Sequence, residues 1–361
     1  MKIAFIEETA FTSRHGGAAA WTLTIARYLS QRGIQTKVFS FAKDMRFFLP
    51  RRIALFPFFR EVFVYPFVGQ QMVKKIQNDY DIIYFASSTT NALNHVKTPT
   101  LTGTNCLFSR QLQDFSPFLP IQHKAIFNPF FFQLLKNVEK KHFQNTKSII
   151  STRKDITKFL QKTLSIPKAK IYDIPHAVFS VPFSPSPQKK ENRVVLFVGR
   201  ATFGKGFDVL LDAADEIHGK VVCIVSRISE AYLSKAAKKK NVQIITGVTP
   251  NDLRRYYQNA TVFVMPSLSE TGPIVTLEAM SFALPVVGTP QGCGEFVDDG
   301  FHGFVVPPHS PQLLAQKVNS LIEHPKVARE MGINARQKVK QHYTMDIVGE
   351  KILAVCHALV T

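Results

Sequence analysis

Twice along this chain a short apolar run gives way to a glycine-bearing loop and then to a segment of helical length. The first instance is Lys2-Ile3-Ala4-Phe5-Ile6, a loop ending at Gly16-Gly17, and a helical stretch from about 18 to 31 that stops at Gly33. The second is Val194-Val195-Leu196-Phe197-Val198, a loop holding Gly199, Gly204 and Gly206, and a helical stretch from about 207 to 217. Strand, helix, strand in this order is the unit of a parallel α/β sheet. Further strands are expected at 36–41, 81–85, 98–101 and 148–151 in the first series, with a helix near 128–144. There Asn128 suits the cap and Pro129 the first helical position. In the second series strands are expected at 220–225, 242–246, 261–265 and 285–288, and helices near 229–240, 250–259, 273–283, 311–323 and 326–342. The proline-rich, polar and charged stretch 181–193 separates the series as a linker. The expectation is a doubly wound domain over 1–182, a linker at 183–193, a second doubly wound domain over 194–344, and an amphipathic helix within 345–361. Ligands of such sheets bind beyond the carboxyl ends of the strands, so a cleft is expected there.

Bulk properties narrow the setting. The 361 residues exceed one ordinary domain, and 45% hydrophobic content is enough for two cores. The apolar run after Met1-Lys2 is cut short by Glu7-Glu8-Thr9, so no secretory signal is expected, and nothing reaches the roughly 18–20 unbroken apolar residues of a membrane span. Cys106, Cys223, Cys293 and Cys356 form no CxxC pair and read as reduced thiols of a cytoplasmic protein. The net charge of +19 is uneven: residues 1–185 hold 25 Lys/Arg against 10 Asp/Glu, and residues 186–361 hold 20 against 16. Of the 31 phenylalanines, 23 lie in the first half. A basic, Phe-rich half points to an anionic partner.

Two motifs carry chemistry. Gly199-Arg200-Ala201-Thr202-Phe203-Gly204-Lys205-Gly206 follows a strand and precedes a helix; its glycines permit close backbone approach to an anion, and Arg200 and Lys205 supply positive charge. Neither GxGxxG nor GxxxxGK[ST] is present in it. Taken alone, it reads better as a basic surface turn after a strand. The second motif is Glu270-Thr271-Gly272-Pro273-Ile274-Val275-Thr276-Leu277-Glu278, behind an apolar strand and a Pro-Ser turn. Pro273 fits the first helical turn, so the N–H groups of Ile274, Val275 and Thr276 are expected to be unpaired and suited to a diphosphate. Glu270 and Glu278 bracket that position with carboxylates able to accept from sugar and ribose hydroxyls.

These segments, with Asn259-Ala260-Thr261, Pro266-Ser267, Glu278-Ala279-Met280, Leu284-Pro285-Val286-Val287, Gly294-Glu295, Asp299-Gly300 and Gly303-Phe304-Val305-Val306-Pro307, resemble glycosyltransferase family 4 in composition and order. The resemblance is dense over about 192–345 and looser before it, where it rests on the Gly16-Gly17 loop and on Lys147 to Ser151 after a helix containing Glu139. It implies an α/β protein of the GT-B fold, two Rossmann-like doubly wound domains facing across a cleft. The N-terminal domain is then the acceptor side, the C-terminal domain binds the nucleotide sugar, and the last helix returns to the N-terminal domain. It implies a retaining glycosyltransferase that moves a hexosyl group from a nucleotide-diphosphate sugar to an acceptor hydroxyl, with no cofactor and no metal. Arg200, Lys205 and Glu270 are the implied catalytic residues. Gly16, Gly17, Gly272, Pro273, Ile274, Val275 and Glu278 are the implied donor-binding residues, Glu278 on the ribose. His15 and Asn105 are acceptor-side candidates.

Three departures from the family pattern stand out. Thr271 displaces the usual glycine after the first glutamate. Thr102-Gly103-Thr104-Asn105 stands where many relatives carry a histidine, and Pro175-His176-Ala177 where relatives often read Pro-Asn-Gly. Asn105 is open to a plain turn role and His176 to that of a satisfied buried histidine. Asp79-Tyr80-Asp81 fits the metal-binding DxD pattern of another glycosyltransferase fold, but reads better as a turn before a strand. In 45–75 and 115–141, arginines and lysines interleave with Phe47, Phe48, Phe56, Phe58, Phe59, Phe130, Phe131 and Phe132. Ordinary core phenylalanines under a basic surface are one reading; the other is docking on an anionic membrane surface through short segments broken at Pro50, Pro57 and Pro66, with a lipid-linked or membrane-proximal acceptor. Nucleic acid is the less favoured partner. The rival to the enzyme is an inactive relative that binds nucleotide sugar or a membrane; hydrolysis or transfer of a nucleotide sugar separates the two.

Overall fold

A computed structural model of the chain describes residues 1–7, 17–40, 64–86, 88–90, 96–118, 129–179 and 193–361. They form two compact units, Met1–His176 with Asp346–Thr361, and Ala177–Met345. Of the expectations above, those on His15, Gly16, the Phe-rich stretch before residue 64 and most of the linker lie outside the described residues.

The first unit runs β1 (Lys2–Glu7), α1 (Gly17–Ser30), β2 (Gln35–Ser40), α2 (Tyr65–Ile76), β3 (Ile82–Phe85), β4 (Thr100–Gly103), α3 (Phe108–Phe115), α4 (Pro129–Asn145), β5 (Ser148–Ser151), α5 (Lys154–Lys162) and β6 (Ile171–Asp173). Its sheet has the order β2-β1-β3-β4-β5-β6, and every described pairing is parallel. The strands β1 and β3 are buried almost end to end, as strands covered on both faces must be. Pro66 sits buried in the first turn of α2, where its missing N–H costs no helical bond, so the helix begins beside this proline rather than running through it.

The second unit runs β7 (Val194–Gly199), α6 (Phe207–Ala213), β8 (Lys220–Val225), α7 (Glu230–Ala237), β9 (Val242–Ile245), α8 (Pro250–Asn259), β10 (Val262–Met265), α9 (Ile274–Ser281), β11 (Val286–Gly288), α10 (Pro290–Cys293), β12 (Gly303–Val305), α11 (Pro311–Glu323) and α12 (Pro325–His342). Its parallel sheet has the order β12-β11-β10-β7-β8-β9. The order reverses between β7 and β10, which makes the loops after these two strands the topological switch point. One contiguous apolar core fills both sides of the sheet, from Val195 and Phe197 to Leu314 and Val339.

A last helix, α13 (Met345–Val360), belongs with the first unit. Gly349 lies flat against Tyr28 of α1: a Cβ there would stand 2.3 Å from the ring. Beside it, Glu350 Oε1 accepts from the Tyr28 hydroxyl and from Arg32 Nε, each at 2.7 Å.

Candidate functional site

The loops after β7 and β10 lie side by side because the strands are paired, Val195 against Val262 and Leu196 against Phe263. They are joined backbone to backbone. Gly206 takes a left-handed conformation (φ 62°), and a Cβ on it would stand 1.9 Å from the Pro266 carbonyl oxygen. Only glycine meets both conditions. The Leu268 N–H donates to the Gly204 carbonyl at 3.0 Å, closing the seam. This seam brings Lys205 to Glu270, and the Lys205 ammonium donates to Glu270 Oε1. The Ser267 hydroxyl donates to the same oxygen at 2.9 Å. Neither side chain is wide open, at 20% exposure for Lys205 and 8% for Glu270. Glu270 Oε2 has no partner among the described residues. Arg200, at the end of β7, is exposed and makes no ion pair among them.

From Glu270 the chain turns into α9. Pro273 is the N-cap of this helix rather than a member of its first turn, and Ile274 is the first helical residue. No side chain caps the helix. The Thr276 N–H, expected to be unpaired, donates to the Pro273 carbonyl at 3.0 Å, so the expectation is corrected to Ile274 and Val275 alone. The Thr276 hydroxyl donates to the Gly292 carbonyl at 2.8 Å, and Thr289 accepts from the Gly292 N–H and donates to the Ser267 carbonyl. These bonds tie the loop after β11 beneath the start of α9. Glu278 stands four residues beyond Ile274, on the same helix face. It is half-buried, and the Tyr257 hydroxyl donates to its Oε2 at 2.8 Å. Burial pushes the Glu278 carboxyl above its ordinary range, and the Tyr257 bond acts against that rise. Sequence reasoning did not single out Tyr257, Ser267 or Thr289. Ser267 carried a signal, as the hydroxyl after the strand-ending proline; Tyr257 and Thr289 depend on how separate elements pack.

In the first unit, Gly17 opens α1 with free space where a Cβ would stand. Asn105, two residues past β4, is buried and lies 3.4 Å from His176 through its Oδ1 and the ring Nε2. His176 is itself buried, its ring set edge-on to Trp21 with the centroids 4.8 Å apart. Two of the three positions that depart from the family pattern therefore touch each other. Asp81 accepts from the Lys2 backbone N–H at 2.7 Å, at the amino ends of β1 and β3, which accords with a turn leading into a strand. Glu139 in α4 is fully buried and saturated. It accepts from Ser88 at 2.6 Å, from the Phe108 N–H at 2.7 Å, from the Ser109 N–H at 3.2 Å and from the Ser109 hydroxyl, so that it caps α3. Phe67 and Phe130 are exposed on α2 and α4, at 52% and 68%. No described helix is long and apolar enough to cross a membrane.

Comparison with known proteins bears on both units. A family model described as Glycosyltransferase Family 4 matches residues 15–179, and one described as Glycosyl transferases group 1 matches residues 182–338. The chain is 24% identical to O-antigen chain mannosyltransferase C of Escherichia coli, over 96% of its own length and 95% of the relative's. Other curated relatives align over 43% to 48% of their lengths. Among solved structures, sucrose-phosphate synthase from Thermosynechococcus elongatus superimposes with a TM-score of 0.79 at 19% identity, covering 99% of this chain and 98% of that one. HepE of Anabaena, solved in complex with UDP-glucose, gives 0.74 at 19% identity, covering 99% and 100%.

Proposed function

We infer that this chain, which has the GT-B fold and belongs to glycosyltransferase family 4, is a retaining, metal-independent hexosyltransferase that uses a nucleotide-diphosphate sugar. The observation that carries this reading is the junction of Lys205, Glu270 and the uncapped start of α9, with Arg200 unpaired beside it among the described residues. Arg200 and Lys205 neutralise the diphosphate, and the N–H groups of Ile274 and Val275 donate to it. Glu270 holds donor-sugar hydroxyls through Oε2, and Glu278 holds the ribose. His15 and Asn105 are the candidates for the acceptor side. Support for a nucleotide-sugar donor comes from the UDP-glucose complex of HepE, and for hexosyl transfer from the mannosyltransferase relative.

In the reaction the bond between the sugar C1 and the diphosphate oxygen breaks, and the acceptor oxygen bonds to C1 on the same face. The acceptor's proton passes to a phosphate oxygen of the leaving group. Negative charge grows on that group, and preorganised cations and N–H dipoles are worth most where charge develops. Turnover with UDP-, GDP- and ADP-sugars is expected to persist in excess EDTA, with the donor's anomeric configuration kept in the product by NMR. Activity lost in EDTA and restored by magnesium or manganese, or an inverted product, overturns the reading. The acceptor is lipid-linked or membrane-proximal, on the support of the basic, Phe-rich first half, and the protein works in the cytoplasm against the membrane face.

A further inference from the structure

Glu278 is a half-buried carboxylate on a helix that presses its neighbours Leu277 and Ala279 into the core, and its one polar partner among the described residues is a phenol. That phenol is held rigidly. Tyr257, near the end of α8, is 2% exposed; its ring stacks on Phe282 at 5.3 Å and 15° and meets Phe263 at 6.1 Å. A ring so enclosed cannot swing its hydroxyl elsewhere.

We propose that Tyr257 is a positioning residue and a determinant of sugar specificity in the nucleotide: its hydroxyl pins Glu278 Oε2 so that Oε1 faces outward as the acceptor for a ribose diol. The inference rests on the assignment of Glu278 to the donor's ribose. The argument is one of hydrogen-bond inventory. An ionised carboxylate only accepts, and one oxygen has room for two donors, which matches vicinal 2′- and 3′-hydroxyls. With Oε2 occupied, Oε1 is the oxygen left for the ligand. A deoxyribose leaves that acceptor unsatisfied in a desolvated place, which costs affinity. Burial and the adjacent Glu278 push the Tyr257 phenol far above its ordinary range, so it stays a donor at every working pH. Its bond also counteracts the burial that raises Glu278. Without it, Glu278 takes up a proton more readily as pH falls and ceases to be a pure acceptor.

The test is calorimetry on the full chain with UDP or GDP, whichever wild type binds more tightly, and with the 2′,3′-dideoxy counterpart. Wild type is expected to prefer the ribonucleotide by about ten-fold or more, the value of a hydrogen bond to a charged group. Tyr257→Phe keeps the ring stack; it is expected to lose most of that preference, more at pH 5.5 than at pH 7.5, with dideoxynucleotide affinity unchanged. Glu278→Gln provides a second arm, in which adding Tyr257→Phe is expected to change the preference no further. A Tyr257→Phe protein that keeps the full wild-type preference overturns the inference and leaves the ribose assignment standing. A wild-type protein that binds both forms equally, or neither, overturns the ribose assignment and the inference with it.

Discussion

Three buried or half-buried glutamates show how differently the two units use the same side chain. In the first unit Glu139 takes four donors, from Ser88, Phe108 and Ser109, onto both of its oxygens. In the second unit Glu270 receives Lys205 and Ser267 on a single oxygen, and Glu278 receives Tyr257 on a single oxygen. Each of the latter keeps one oxygen without a partner among the described residues. Burial leaves Glu139 raised above its ordinary range despite its bonds, and Glu278 as well. A saturated carboxylate has no acceptor left for a ligand and serves to fasten α3 to α4. A carboxylate fastened by one oxygen is both oriented and still able to bind. The contrast separates a structural glutamate from a ligand-ready one without reference to exposure.

The comparison breaks most readily at the cations. Replacing Arg200 and Lys205 together with Ala removes two charge-assisted contacts of about 1.5–3 kcal/mol each. Nucleoside-diphosphate affinity by calorimetry is expected to fall by two to four orders of magnitude, with the thermal midpoint nearly unchanged. Unaltered affinity would move the anion site out of the second unit. Next is the saturated carboxylate. Glu139→Ala strands several buried donors and is expected to cost about 3–5 kcal/mol in denaturant unfolding. Glu270→Ala is expected to cost no more than about 1 kcal/mol while lowering turnover steeply. Equal stability losses in the two variants would erase the distinction drawn above. The smallest effect per residue concerns the surface of the first half. Each Lys or Arg near an anionic bilayer contributes about 1 kcal/mol. Sedimentation with anionic vesicles is expected to weaken with salt and on replacing Arg51, Arg52 and Arg60 with Glu. Equal recovery with neutral and anionic lipid would favour a soluble acceptor.

What could be read from the sequence follows the same division. The strands β1, β3, β7 and β8 announce themselves as continuous apolar runs, and the helices of the second unit carry proline starts at Pro250, Pro311 and Pro325. Of the three-residue strands, β11 stands out as the apolar run Leu284-Pro285-Val286-Val287, whereas β6 and β12 do not, since three residues hold no periodicity and these two lie in mixed polar sequence. The meeting of Lys205 and Glu270 was legible, since both loops follow strands that a doubly wound sheet places together at its switch point. The bond from Tyr257 to Glu278 was not. It joins residues 21 positions apart on separate helices, and only the packing of Phe282 against Tyr257 sets it. The Asn105–His176 contact was illegible for the same cause, as it joins residues 71 positions apart through side chains alone.

The socket that Tyr28 and Arg32 make for Gly349 and Glu350 joins positions 322 and 318 residues apart. Seen in the order of synthesis, the first unit emerges early but waits for its last helix until the whole second unit has been made. A nascent chain that folds domain by domain meets this arrangement at a disadvantage, since the first unit gains its last helix only from a segment made after the second unit. The second unit, by contrast, is continuous in sequence and can condense as it appears. Its folding draws the two parts of the first unit closer in chain distance, shortening the loop that must close before α13 docks. A ribosome pausing late in the message would therefore hold a chain whose second half is native and whose first half still lacks the cover for Tyr28.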